Sequence, residues 1–312
     1  MGGKPLTEAS DLVAQLESLV DGPAAVLRLV ARGREAVEPL RRYLLEGRIT
    51  SLFQPRRWAV EALTALGARD VLLEYLAHPR SVRDPVLRQS EDAVENAAAR
   101  ALTAWPTEDV FGVLLERARS RPLPGLVEAL GAFRRIEAIP ILVHALEDDM
   151  CRPQAEQSLR ALGRVAAPAL VRTALSPSPE AGDESPSSLR RRRSAAGLLA
   201  DGSDTVDWLA VRPLLLEDDP ALVIRASRVA ARTAPPHDQR LAASRLMELA
   251  GTAGSVASVD IEDCLVDLYP QATDLVEQEV ARRSMAPIVP PQAPDSTLGL
   301  LRRVVSRATG GR

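Results

Sequence analysis

The sequence predicts an all-α fold, an α-solenoid of about seven helix pairs, and three observations predict it. The first is composition. Hydrophobic residues make up 46% of the 312-residue chain, yet aromatic residues only 3%. The apolar material is therefore mostly Ala, Leu and Val, and Ala and Leu lose little side-chain freedom in a helix. Such an interior suits thin layers of closely packed helices. The second is an internal repeat. EALTAL (61–66), RALTAW (100–105), EALGAF (128–133) and QSLRAL (157–162) superimpose without gaps. The second residues are Ala62, Ala101, Ala129 and Ser158, and the third is always Leu: Leu63, Leu102, Leu130 and Leu159. The fifth is always Ala (Ala65, Ala104, Ala132, Ala161), and the sixth is large and apolar (Leu66, Trp105, Phe133, Leu162). This reads as one helix written four times, with Leu in the core and Ala where a neighbouring helix comes close. The third is that each copy follows another apolar helix.

Those preceding helices are VEPLRRYLL, DVLLEYL, DVFGVLLERA, AIPILVHAL and APALVRTAL, with apolar residues three and four apart. Pro39, Pro140, Pro168 and Pro213 stand near helix starts, where a missing N–H has no partner to lose. The acidic turns LEDD at 146–149 and 216–219 end one helix and cap the next. Upstream, TEASDLVAQLESLV and DGPAAVLRLVARG read as a first pair, and fainter copies follow at 194–199, 224–232 and 263–268. The repeats span 7–284. Two polar, turn-rich insertions lengthen them, 78–92 and 176–188, the second read as mobile. A proline-rich linker occupies 285–296 and is expected to be extended. The segment 297–312 is short, basic and amphipathic, with a stripe at Leu298, Leu301, Val304 and Val305.

The best copy, EAIPILVHALEDDMCRPQAEQSLRALG (137–163), carries the pattern A-I-P-x-L-x-x-x-L-x-D, a turn, and a Leu-Gly ending. This resembles the bacterial HEAT repeat, in the subgroup shared with phycobilisome-lyase-type repeats, across roughly 35–235. The resemblance implies a right-handed solenoid whose second helices line a concave face. It is nearly silent on activity, since such arrays serve as scaffolds, adaptors, lyases and glycosylases.

Charge and special residues narrow the chemistry. A net charge of −3 gives no global electrostatic case for nucleic acid or an acidic membrane. Lys4 is the only lysine and Asn96 the only asparagine, so Arg is the default cation. Cys151 and Cys264 have no companions and read as half-buried apolar residues, not as a disulfide or zinc set. His78, His144 and His237 each lack the neighbouring Glu of the metal-binding hydroxylases in this repeat class. His144 is expected to pack on its helix or snorkel from it, and not to be a ligand. No metal, cofactor or catalytic constellation is expected, and the chain is not expected to be an enzyme. MGGKPLTEASDL lacks an apolar signal core, Leu6 stands where a myristoylation motif wants Ser or Thr, and no apolar run spans a bilayer. A cytoplasmic monomer is expected.

The expected function is a non-catalytic protein–protein interaction scaffold or adaptor that receives an acidic or extended partner segment. Two alternatives are a nucleic-acid-binding array like the HEAT-type DNA glycosylases, and a lyase or chaperone acting on a protein. Candidate partner-binding residues on second helices are Arg56, Arg57, Arg100, Arg160, Arg164, the run Arg190, Arg191, Arg192 and Arg193, and Arg225 and Arg228. The plainer alternative is that these arginines pair with turn carboxylates such as Asp149 and Asp219. A binding groove would instead use Arg forks, which match carboxylate and phosphate bidentately, and four adjacent like charges are not expected all to be paired locally. In the tail the candidates are Leu298, Leu301, Arg302 and Arg303.

Overall fold

The computed structural model describes residues 5–180, 183–202, 206–251, 255–285 and 296–310. The fold is all-α, and the chain divides into two compact units, Met1–Leu162 and Gly163–Arg312. No helix among the described residues is long and apolar enough to cross a membrane.

The first unit is five helix pairs: α1 (Pro5–Ala14) with α2 (Gly22–Arg32), α3 (Val37–Glu46) with α4 (Gln54–Ala65), α5 (Arg69–Ala77) with α6 (Pro85–Leu102), α7 (Glu108–Ser120) with α8 (Pro124–Phe133), and α9 (Ile139–His144) with α10 (Arg152–Leu162). The second helices stack in chain order, α2 on α4, α4 on α6, α6 on α8 and α8 on α10. The repeated Leu explains the stacking. Leu63, Leu102, Leu130 and Leu159 are all buried in the seam. The repeated Ala does something other than expected. Ala65, Ala104, Ala132 and Ala161 are exposed, and the close approaches fall elsewhere. A Cβ on Gly131 would meet Ser158 of α10 at 1.9 Å from its Oγ, and one on Gly22 would enter the Trp58 ring of α4.

The Leu-Gly ending is a helix stop. Gly67 has φ +67°, a left-handed conformation open to glycine at little cost. Its N–H donates to the Thr64 carbonyl at 3.0 Å and that of Ala68 to the Leu63 carbonyl at 2.9 Å, so two orphan carbonyls of α4 are satisfied. The acidic turns cap as the sequence predicts. Asp148 Oδ1 accepts the N–H groups of Met150 (2.7 Å) and Cys151 (3.0 Å) ahead of α10.

Between α4, α5, α6 and α7 the core holds charge. Arg56 and Glu91 are each 3% exposed and pair with each other. Glu91 also accepts the Tyr75 hydroxyl at 2.7 Å, and Arg56 Nη2 donates to the Leu44 carbonyl at 2.6 Å. One turn along α6, buried Glu95 takes a bidentate pair from Arg117 at 2.7–3.1 Å. Burial raises the Glu95 pKa despite the opposing field of Arg117.

The second unit contains α11 (Ala167–Leu175) with α12 (Pro186–Asp201), α13 (Trp208–Val211) with α14 (Pro220–Thr233), and α15 (Pro236–Ala250) with the first arm of α16 (Ser255–Ser284). Helix α16 breaks at Ala272 (φ −129°, ψ 17°), because Pro270 lacks an N–H and its ring clashes with the preceding turn. Helix α17 (Ser296–Thr309) packs on α16, with Arg303 and Arg307 reaching Glu262 before the break and Arg302 reaching Ser284 beyond it, and it also touches α15. The tail is therefore part of a helix pair, not an appended segment. Most of the proline-rich linker, 286–295, lies outside the described residues. The 176–188 insertion forms a short antiparallel ladder, β1 (Pro179–Glu180) with β2 (Asp183–Glu184). Residues 181–182 lie outside the described residues, but Glu184 is anchored to Ser188 and Arg192.

Candidate functional site

The most developed concavity among the described residues is an open groove of about 760 Å³ between α4 and α6. Helix α6 contributes Ala93, Asn96, Ala97, Arg100 and Ala101, and α4 contributes Arg57, Val60, Glu61, Thr64 and Ala65, with Phe53 at its start. Both sets recur at three- and four-residue spacing, so each is one face of a helix. The groove exists because that face is alanine where leucine would fill it.

Three polar groups stand over this floor. Arg57 is exposed and has no side-chain hydrogen bond or ion pair among the described residues. Arg100 pairs with Glu128 of α8 at 2.6 Å, both about half exposed. Asn96 Oδ1 accepts the N–H of Gly125 at 2.5 Å, supplying a partner to the first turn of α8. That bond fixes the amide and leaves its NH₂ over the groove without a partner among the described residues. A Cβ on Gly125 would strike the Asn96 backbone at 2.5 Å, so the glycine is what lets the two helices meet there.

The other predicted residues separate into used and available groups. Arg56 is buried in the ion pair with Glu91 and is no part of an open surface, because its guanidinium closes α3 and α6 together. The run Arg190–Arg193 is paired locally, contrary to expectation. Arg192, 2% exposed, donates to the Ala174 carbonyl (2.7 Å), Glu184 (2.6 Å) and Glu217 (2.5 Å). Arg193 pairs with Asp219, and Arg191 reaches the Ser176 carbonyl and Ser178 hydroxyl. Arg190 and Arg160 also have interactions, whereas exposed Arg164 has no side-chain partner among the described residues. The insertion supplies Glu184, and the acidic turn ahead of α14 supplies Glu217 and Asp219.

In the tail, Leu301 is fully buried, as are Leu300 and Val304, so the apolar stripe packs inward and is no exposed anchor. Leu298 is half-buried and has a contact of its own. Arg303 donates to Glu262 at 2.8 Å and Arg302 to the Ser284 hydroxyl at 3.2 Å. Arg228 pairs with Asp260 at 2.5 Å, while Arg225 donates only to the Ala221 carbonyl of its own helix at 3.1 Å.

Both cysteines are buried, and burial pushes the Cys151 thiol up to about 12 and that of Cys264 to about 11, which leaves them unreactive. His144 is largely exposed beside Glu147, so of the two expected placements it is not the packed one. The described residues contain no group of three or more His, Cys, Asp and Glu placed to hold a metal ion. Sequence reasoning missed Asn96 and Phe53. The available signal was the single asparagine four residues before Arg100 on an alanine-rich face.

No family model matches the chain, and no curated protein matches it. Among solved structures it is similar to human deoxyhypusine hydroxylase in complex with glycerol, at 17% identity and a TM-score of 0.31. That match covers 85% of this chain and 97% of the other. This corrects the expectation that the chain is not an enzyme, since the neighbour is an enzyme by name. The likeness is too distant to carry an argument about substrate or mechanism.

Proposed function

We propose that this chain is a HEAT-like repeat protein that binds a partner protein, receiving a segment of it in the α4–α6 groove. The observation that carries the reading is Arg57, an exposed and unmatched cation at the edge of an alanine-floored groove. The occupant that fits is a short segment with an apolar side chain beside an Asp or Glu. Its apolar group covers Ala93, Ala97 and Ala101, its carboxylate meets the Arg57 fork, and a backbone carbonyl accepts from the Asn96 NH₂. Arg100, already held by Glu128, orders the far rim.

Selection of peptides from a random library on the immobilised full chain tests this. The enriched sequences are expected to pair an acidic residue with an apolar anchor. Their affinity should fall about tenfold or more in Arg57→Glu, the scale of a lost charge-assisted hydrogen bond. Ala97→Trp, which fills the floor, should abolish binding while leaving the helical circular dichroism unchanged. Equal binding by both variants would refute the reading.

A further inference from the structure

In the second unit, α12 and α14 carry a second cationic centre, separate from the groove. Arg193 of α12 is neutralised by Asp219, the N-cap of the following helix α14, whose Oδ1 also accepts the Leu222 N–H at 3.1 Å. Arg228 of α14 is neutralised by Asp260 on α16. Arg225, within the field of both pairs, has no carboxylate partner of its own among the described residues. The stretch leading into α16 reads GTAGSVASVD, so the chain supplies no capping carboxylate there and its first acid, Asp260, is taken.

Arg225 is nevertheless held in place. Its Nε lies 3.0 Å from where a Cβ on Gly197 of α12 would stand, so the guanidinium rests in the gap that this mid-helix glycine leaves. Glycine inside a helix costs roughly 0.5–1 kcal/mol relative to alanine, and here it makes the seat. Burial, with Arg228 next and Arg193 after the opposing Asp260, lowers the Arg225 pKa, whereas both flanking arginines are held above their ordinary value. Half-buried positive charge short of a counter-ion, with its fork fixed, is what an anion relieves.

We propose that Arg225, seated on Gly197 and flanked by Arg193 and Arg228, is the centre of an oxyanion site that takes a carboxylate or phosphate group. The fork provides the bidentate contact, while Arg193 and Arg228 stay with Asp219 and Asp260.

The test is NMR of the arginine Nε–Hε groups in the full chain, titrated with inorganic phosphate, with a tetraglutamate peptide, and with sodium chloride at matched ionic strength. The Arg225 signal should shift and saturate with phosphate, with the peptide, or with both. The two arms distinguish a free oxyanion from a peptide carboxylate. Arg225→Gln should weaken the response read at Arg193 and Arg228 by about tenfold or more, and Arg225→Lys should fall between. An Arg225 response no larger than that to chloride, or no larger than that of exposed Arg42, would overturn the proposal. So would an undiminished response in Arg225→Gln.

Discussion

Replacing Arg56 by Met strips a buried carboxylate of its counter-charge without leaving a large hole, and that makes it the sharpest probe of the first unit. Glu91 would retain the Tyr75 hydroxyl as a partner while still 3% exposed. The Leu44 carbonyl, in the last turn of α3, would lose the Arg56 Nη2 donor at 2.6 Å. Breaking one side of a buried pair typically costs about 3–5 kcal/mol, because the remaining charge has no water to return to. Arg56 Nε has no hydrogen-bond partner in the native structure, which pulls the expected loss toward the lower end of that range.

Amide hydrogen exchange of peptides from α4 and α6 reads the first unit directly, and roughly two to three orders of magnitude in protection should disappear. In Arg56→Met with Glu91→Gln the stranded charge is gone and the Tyr75 bond survives. The deficit should then shrink to about 1–2 kcal/mol, the scale of the orphaned Leu44 carbonyl. A single-variant loss below about 1 kcal/mol, the exposed-pair scale, would refute the claim that this pair is desolvated. A double variant no better than the single would show that packing, not charge, is responsible.

Gly131→Ala should lower stability by about 1–3 kcal/mol through collision with Ser158, and Ser158→Gly in the same chain should restore most of it. Gly112→Ala in α7, where an added Cβ meets nothing within 4 Å, should instead raise the melting temperature, by about 0.5–1 kcal/mol of stabilisation. Leu301→Ala should cost about 2–5 kcal/mol and make α17 an early site of protease cleavage, since this side chain is fully buried. Asp238, 1% exposed, accepts from Trp208 Nε1 at 2.8 Å and Arg212 Nε at 2.9 Å. Burial raises its pKa, but those bonds and the Arg212 charge outweigh it and hold the group below its ordinary value. A depressed carboxylate stabilises above its unfolded pKa and loses that contribution as pH falls through the folded one. Trp208 fluorescence should therefore report loosening of the second unit below about pH 4. Asp238→Asn should reduce that acid dependence, leaving the share of Asp219, Glu262, Asp274 and Glu279, which are depressed as well.

The helix pairs were legible because Leu63, Leu102, Leu130 and Leu159 repeat in a fixed frame and a glycine marks the stop. The face of each alanine was not. Alanine fits both a tight seam and an exposed surface, so periodicity alone misplaced Ala65, Ala104, Ala132 and Ala161, and the groove that Ala65 lines with Ala93, Ala97 and Ala101 went unseen. The tail misled for a related reason. A stripe at Leu301 and Val304 looks the same whether it awaits a partner or covers α16, and only the packing of α17 on α16 decides between the two. The arginines divide by a criterion that needs three dimensions, namely whether a carboxylate from the next pair reaches them. Arg192 and Arg193 are satisfied by residues 8 to 26 positions away; the acidic turn offered Asp219 as a candidate counter-charge, but not which arginine it would meet.

Those separations show what the charge is for. In the first unit Arg41 pairs with Glu74, Arg69 with Asp109, Arg100 with Glu128, Arg121 with Asp92 and Arg135 with Glu108, each joining one helix pair to the next. Such partly exposed pairs contribute roughly 0–1 kcal/mol apiece, so they are not the source of stability, which lies in the Leu seam. An Ala/Leu seam repeated every pair is, however, permissive, because any second helix offers much the same surface to any other. Ion pairs that close only between consecutive helices penalise wrong stacking more than they reward the right one. A chain built on that rule has a reason to match its arginines. Arg57 over an alanine floor and Arg225 seated on Gly197 are two of the places where the rule lapses, as it also does at exposed Arg164, and the geometry around the first two is what makes each a proposed binding site.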